Sequence, residues 1–308
     1  MSTRLRLLSL DGGGVKGICT LIVLDAIMEE VKGLGGERDG TKPLPIHYFD
    51  LAGGTSSGGL IALMLFRLSM STTDAIGNSK KIVTDTFSPR IGDLNLHDLG
   101  EAGYWLGNGF LQLKATLLPS RFPSEPLIAA INKVMETSPH DDDVVNRGSN
   151  KLLKEGSRRM SYKPPDDAGS SEFENVSISD AACATSAAPT FLPPVNINGV
   201  DFWNGALINN NPIHRVWDAR YDLAPPLPSD EEQVAEEPIV SCIVSIGTGY
   251  HTETEELPQN IISTIATAIS YSTNTRAKHR NFRRGLERSN RRRPKDERTK
   301  YFRFDTRI

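Results

Sequence analysis

Gly54-Thr55-Ser56-Ser57-Gly58 is a G-x-S-x-G set between a short apolar stretch and an apolar helical pattern. That context suits a nucleophile elbow, in which a sharp strand-to-helix turn exposes a serine hydroxyl. Gly54 and Gly58 leave room for the turn, and the helix N-terminus favours the negative charge that develops when Ser56 attacks a carbonyl. The same residues also suit a plain Gly/Ser loop in which Ser56 or Ser57 caps the helix. The strand before and the helix after favour the elbow.

A second cluster, Asp11-Gly12-Gly13-Gly14-Val15-Lys16-Gly17, again joins a strand to a helix. Backbone N–H groups in such a glycine turn form an anion cradle. As G-x-G-x-x-G (Gly12, Gly14, Gly17) the cradle could hold a dinucleotide pyrophosphate. Beside Ser56 it could instead be an oxyanion hole for acyl transfer. A dinucleotide site wants an acidic residue about twenty positions past the last glycine, at the end of the second strand. Asp39 is near that spacing but lies in a loop before that strand, so the dinucleotide use is weak. A plain tight turn is the third use of the glycines.

The third cluster is Asp201-Phe202-Trp203-Asn204-Gly205-Ala206, followed by Asn209-Asn210-Asn211-Pro212. Taken in order, D-G-G-G-x-K-G, G-T-S-x-G-G, x-G-A and N-N-P resemble the motifs of the patatin-like phospholipases, in the form of a fungal-type acyl hydrolase domain. Cys183–Phe191 (CATSAAPTF) and Ser245–Gly249 (SIGTG) look like the same family. The likeness covers Arg4–Glu136, loops excepted, and resumes at Val176.

The resemblance implies a three-layer α/β/α fold with a mostly parallel sheet, and hydrolysis of phospholipid or other acyl-lipid esters in the manner of a phospholipase A or galactolipase. It implies a Ser–Asp dyad without histidine, with Ser56 as nucleophile and Gly12, Gly13 and Gly14 with neighbouring amides as oxyanion hole. Lys16, Gly17, Gly205 and Ala206 fill the remaining motif positions. No cofactor or metal is implied, and calcium independence follows from the likeness alone.

The general base should be the residue before Gly205, and here it is Asn204. A carboxylate can accept the serine proton and return it to the leaving group, whereas an amide has no useful basicity. Asp201 lies three residues upstream and reaches that position only with a backbone shift. None of the histidines (His47, His97, His140, His214, His251, His279) sits in a motif that calls for a base. Two functions are therefore expected to compete: a lipid acyl hydrolase, and a catalytically silent relative that binds lipid or a protein partner.

The positioning elements follow from pattern. Arg4–Leu10 reads as a strand, and after Gly17 a helix carries Ile18, Leu21, Leu24, Met28 and Val31 on one stripe. Ile46–Ala52 reads as the second strand, ahead of an apolar helix at Leu60–Leu68. Thr72–Phe87, Pro126–Glu136, Ser179–Ala188 and Asn260–Arg288 read as helices, Val200–Asn211 as a strand and turn, and Ile239–Ile246 and Tyr301–Phe304 as strands. Repeated strand, glycine turn and helix predicts an α/β layer fold in a single domain over residues 1–308. Residues 138–174 are polar and read as a flexible surface segment. The family's apolar central strand should stand there, so either the sheet is one core strand short or coding sequence is absent.

Composition narrows the class. With 38% hydrophobic, 24% charged and 7% aromatic residues, the chain is neither collagen-like, nor a disulfide miniprotein, nor wholly disordered. The net charge of −3 speaks against a dedicated nucleic-acid partner, yet it hides a split. Residues 276–308 hold 14 basic and 4 acidic side chains, against 21 basic and 34 acidic elsewhere. The basic segment at 276–303 reads either as a solvated face paired with the acidic body or as a peripheral contact with anionic lipid. Cys19, Cys183 and Cys242 lie far apart, which suits a reducing, cytoplasmic setting. The N-terminus lacks a signal-peptide pattern, and the longest apolar run, Leu60–Phe66, is seven residues, so membrane contact is expected to be peripheral.

Overall fold

A computed structural model describes residues 4–34, 41–87, 90–91, 94–95, 122–137, 176–189, 191–223, 237–249 and 275–305. Its centre is strand β1 (Leu5–Leu10), where Leu7, Leu8 and Leu10 have no solvent exposure. Apolar residues on both faces are what a strand needs inside a parallel sheet covered on both sides. β2 (Leu51–Gly54), β1, β7 (Val240–Ile246) and β8 (Lys300–Phe304) lie in the order β2-β1-β7-β8, and every pairing is parallel.

Helices cover both faces. On one, α1 (Gly17–Gly33), α3 (Ser57–Ala62), α4 (Thr72–Phe87), α5 (Glu125–Glu136) and α6 (Ile178–Ser186) pack with Leu8, Leu10, Val244 and Ile246. On the other, α8 (Ile213–Asp218) and α9 (Thr275–Arg291) bring Ile213, Val216, Phe282 and Leu286 against Leu5, Leu7, Val240 and Ile243. The result is the expected three-layer α/β/α architecture with a parallel sheet. Small antiparallel pairs, β3 (Arg90–Ile91) with β4 (Leu94–Asn95) and β5 (Val195–Ile197) with β6 (Val200–Phe202), are the other strands among the described residues. Helix α7 (Ala206–Asn209) links β6 to α8.

Several boundaries differ from the sequence reading. Pro45–Tyr48 forms a helical turn, α2, and the strand starts only at Leu51. Pro45 stands in the first turn, where its fixed φ suits a helix, and β1 pairs with Leu51–Gly54. The apolar helix opens at Ser57 and widens into a π turn over Leu63–Arg67. Val200–Asn211 divides into β6 and α7, and β6 pairs with β5 through an Asn198-Gly199 turn in which both residues have positive φ. Ile18 and Val31 are half-buried at the ends of the α1 stripe. The 138–174 segment, the strand expected there and residues 260–274 lie outside the described residues.

Sheet register sets the site. Leu10 pairs with Gly54 and with Ile246, and Ile246 pairs with Phe304. The next residues, Asp11, Thr55, Gly247 and Asp305, therefore leave the four strands at one edge. The carboxyl ends of parallel strands are where open α/β sheets bind ligands.

Candidate active site

Ser56 sits between β2 and α3 with φ 55° and ψ −125°, a conformation that non-glycine residues avoid. The neighbouring glycines make it possible. A Cβ on Gly54 would overlap the Gly58 carbonyl and stand 2.5 Å from Gly59 N. A Cβ on Gly58 would overlap Leu10 O and stand 2.7 Å from Asp11 O. The Leu60 N–H donates to Ser56 O at 3.1 Å, so Ser56 occupies the cap position, yet its side chain makes no capping bond. Its hydroxyl is not used by the helix.

The glycine turn lies against this elbow. A Cβ on Gly12 would be 3.2 Å from Ser56 Cβ, and one on Gly17 would be 2.7 Å from Ser57 Cβ. The three glycines are not equivalent. Gly12 N–H donates to Asn210 O at 2.9 Å, and Gly13 N–H donates to Ser57 Oγ at 3.2 Å. Gly14 has φ +56° and open space around its Cα. Neither the Gly14 N–H nor the Ser57 N–H has a hydrogen-bond partner among the described residues. Lys16 ends the short 3₁₀ turn after Gly14 and is exposed.

Asn204 is 3% exposed. Its N–H donates to Ala187 O at 2.9 Å, and its Oδ1 accepts the Ala206 N–H at 2.8 Å. The next residue, Gly205, comes within 3.6 Å of Thr55 Cγ2, measured from the Cβ it lacks. Thr55 Oγ1 in turn donates to Asn209 O at 2.6 Å, which joins this loop to the elbow. Asp201 is turned to the β5–β6 hairpin, where its Oδ1 accepts from Asn196 Nδ2 at 2.7 Å. His214 packs edge-on to Phe282 and His279 bonds the Tyr301 hydroxyl, both away from Ser56.

A strained serine at a strand–helix turn, a glycine turn beside it and an x-Gly-Ala loop behind it match a known domain: a family model described as patatin-like phospholipase covers residues 8–217. The chain belongs to the patatin-like phospholipase family. Similar proteins include the cGAMP-activated phospholipase of Vibrio cholerae, 30% identical over 70% of this chain and 59% of that protein. A cGAMP-activated phospholipase of Escherichia coli is 27% identical over 68% of this chain and 54% of its own length. Patatin-07 of Solanum tuberosum is 27% identical over 61% and 43% respectively. The chain thus spans about half the length of the curated relatives it matches.

Three supports of this patatin-like site were not assigned from sequence. Asn210 clamps Gly12 twice, through its carbonyl and through Nδ2, which donates to Gly12 O at 3.1 Å. Thr248, inside SIGTG, donates to the same Gly12 O at 3.2 Å. Both lie in segments that carried the family likeness, so the motif located them without showing their role. Arg303 is the third: it holds the Asp11 carboxylate at the start of the glycine turn, and it lies beyond the 8–217 match. Burial pushes Asp11 up to about 6, with the Arg303 guanidinium pulling the other way.

Proposed function

We propose that this chain is a lipid acyl hydrolase that cleaves phospholipid or other acyl-lipid esters through an acyl-Ser56 intermediate. The observation that carries the reading is the strained Ser56 with its hydroxyl left free by the helix it starts. Ser56 Oγ attacks the ester carbonyl, and the resulting oxyanion is held by the Gly14 and Ser57 N–H groups, neither of which has a partner among the described residues. Collapse of the tetrahedral adduct expels the alcohol, which takes up the proton lost by Ser56, and water then releases the fatty acid.

Asn204 stands where the dyad aspartate belongs, so that position supplies no carboxylate to ferry the proton. The expected result is a low basal rate, since loss of a general base commonly costs ~10²–10⁴-fold. Asn204 also favours the second reading, a silent patatin-like protein that keeps the site for binding lipid or a partner. Hydrolysis of a short-chain nitrophenyl ester by the chain and by Asn204→Asp separates them. Activity that appears only in the variant makes the natural chain a silenced hydrolase. Full activity in the unchanged chain overturns the dyad assignment.

We place the protein in the cytoplasm, peripheral on membranes, with α9 towards anionic headgroups; the fungal-type character of its motifs belongs to the same reading. Among the described residues no helix is long and apolar enough to cross a membrane. Since two relatives are named for activation by cGAMP, a cyclic dinucleotide is the activator class to test first.

A further inference from the structure

We propose that Arg303, on the last strand, is a positioning residue for the oxyanion-binding turn, acting through Asp11. The proposal rests on the reading of Gly14 and Ser57 given above. Arg303 Nη1 donates to Asp11 Oδ1 at 2.9 Å and Nη2 to Asp11 Oδ2 at 2.6 Å, a fork-to-fork pair. Nη1 also donates to Ser245 Oγ at 2.8 Å and Nη2 to Asp305 Oδ2 at 2.8 Å. The other oxygen of Asp305 accepts the Gly249 N–H at 3.2 Å. One guanidinium therefore ties together Asp11 just past β1, Ser245 near the end of β7 and Asp305 just past β8.

The location gives this network its consequence. Asp11 N–H makes the last bond of the β1–β7 ladder, to Ile246 O at 3.0 Å. The chain then leaves the sheet as Gly12, and no side chain within the turn Gly12–Gly14 can hold it. Its position is imposed from outside, by Asn210 and Thr248 on Gly12, by Ser57 Oγ on Gly13 and by Arg303 on the residue before the turn. Gly247 leaves the space this needs, because a Cβ there would stand 2.6 Å from Arg303 Nη2. Misplacing an oxyanion donor by about 1 Å can cost ~10²-fold in rate. A buried ion pair is weak support for stability as such, since apolar residues of similar shape often serve as well. A planar fork that fixes direction is what this place demands, and lysine cannot supply it.

Arg303 also borders a cavity of about 610 Å³, lined by His279, Tyr301, Asp305 and neighbouring side chains. A small guanidinium can reach the site that a shortened side chain vacates, which makes chemical rescue a fair test. The experiment measures amide hydrogen exchange across residues 11–17 and the rate of fluorophosphonate labelling of Ser56, in the full chain, Arg303→Ala and Arg303→Lys. Both variants are expected to exchange at least ~10-fold faster in that segment. Labelling per folded molecule should slow by ~10² through its maximal rate and not its half-saturation. Millimolar methylguanidinium should restore Arg303→Ala in part.

A folded Arg303→Ala with unchanged exchange and labelling overturns the proposal. So does recovery in Arg303→Lys, since a point charge would then suffice. If both variants fail to fold, Ser245→Ala removes one Arg303 bond without stranding a charge. It should give the same changes at smaller size, and unchanged exchange in it also overturns the proposal. If the natural chain is not labelled at Ser56, the hydrolase reading fails, while exchange at residues 11–17 still decides whether Arg303 holds the turn.

Discussion

Asn204 Oδ1 accepts the Ala206 N–H at 2.8 Å, which leaves Nδ2 as the half of the amide without a partner among the described residues. An aspartate of the same shape can make that bond with one oxygen and offer the other as a base. Asn204→Asp is therefore expected to keep the loop conformation and to raise ester hydrolysis by ~10²–10⁴. The added Ser56→Ala should return the rate to background. Steady-state rates for the single and double variants measure both.

Gly58 and Gly285 make opposite predictions from the same chemical change. At Gly58 a methyl group meets the backbone carbonyls of Leu10 and Asp11, which cannot move without breaking the β1 exit. Gly58→Ala should therefore cost several kcal/mol (roughly 2–5) and abolish labelling of Ser56. Gly285 lies in the interior of α9 with open space around it and no positive φ. Gly285→Ala should stabilise the protein by about 0.5–1 kcal/mol and leave labelling unchanged. Denaturant midpoints give both signs, and a destabilised Gly285→Ala would contradict the packing of α9.

Legibility in the sequence followed the range of the interactions. The elbow and the glycine turn could be read because tight backbone turns demand glycine at fixed local spacing, as at Gly54 and Gly58. β1 could be read because a doubly covered strand is apolar throughout. The start of β2 was misplaced because Ile46–Tyr48 is as apolar as a strand, and three residues are too few for a period to show. The β5–β6 hairpin carries its own local signal, the Asn198-Gly199 pair at positive φ. Asp11 and Arg303 are 292 positions apart, and no local pattern marks either as the other's partner. The β1–β7 and β7–β8 registers together bring them side by side.

Asp11 supplies a pH dependence in which stability and reactivity move in opposite directions. Its pKa is raised from 3.8 to about 6 by burial, against the pull of Arg303, with Asp305 adding to the rise. The Asp11 charge in turn helps raise the pKa of the nearby Tyr301 hydroxyl, which burial raises most. An acid whose folded pKa is raised binds its proton more tightly in the folded state. Its contribution to stability is thus fully present below the unfolded value, near 4, and is lost as pH rises through about 6. Asp11→Asn removes this dependence. The stability of the natural chain relative to Asp11→Asn should fall by roughly 3 kcal/mol between pH 4 and pH 7. Labelling of Ser56 should instead rise through the same window, because only the ionised carboxylate accepts both arms of Arg303. Urea melts and labelling rates at matched pH read the two curves, and parallel curves would rule out the linkage.

The basic helix provides the last prediction. Phe282 and Leu286 turn one face of α9 into the core with Ile213 and Val216. The opposite side carries exposed Arg280, Arg284, Arg288 and Arg291, none in an ion pair with a described residue, whereas Arg283 is matched by Glu287 at 2.9 Å. With its apolar residues committed inward, α9 can attract a membrane only through charge. Each such residue near an anionic surface contributes ~1 kcal/mol, so the stripe should favour phosphatidylserine-containing over neutral vesicles by up to ~10²–10³-fold. Raising salt from 0.1 to 0.5 M should largely remove the preference. Arg280→Glu with Arg284→Glu and Arg288→Glu should remove it at low salt while leaving Ser56 labelling in solution unchanged. Vesicle binding that persists in high salt, or in the triple variant, would mean that another face of the protein meets the lipid.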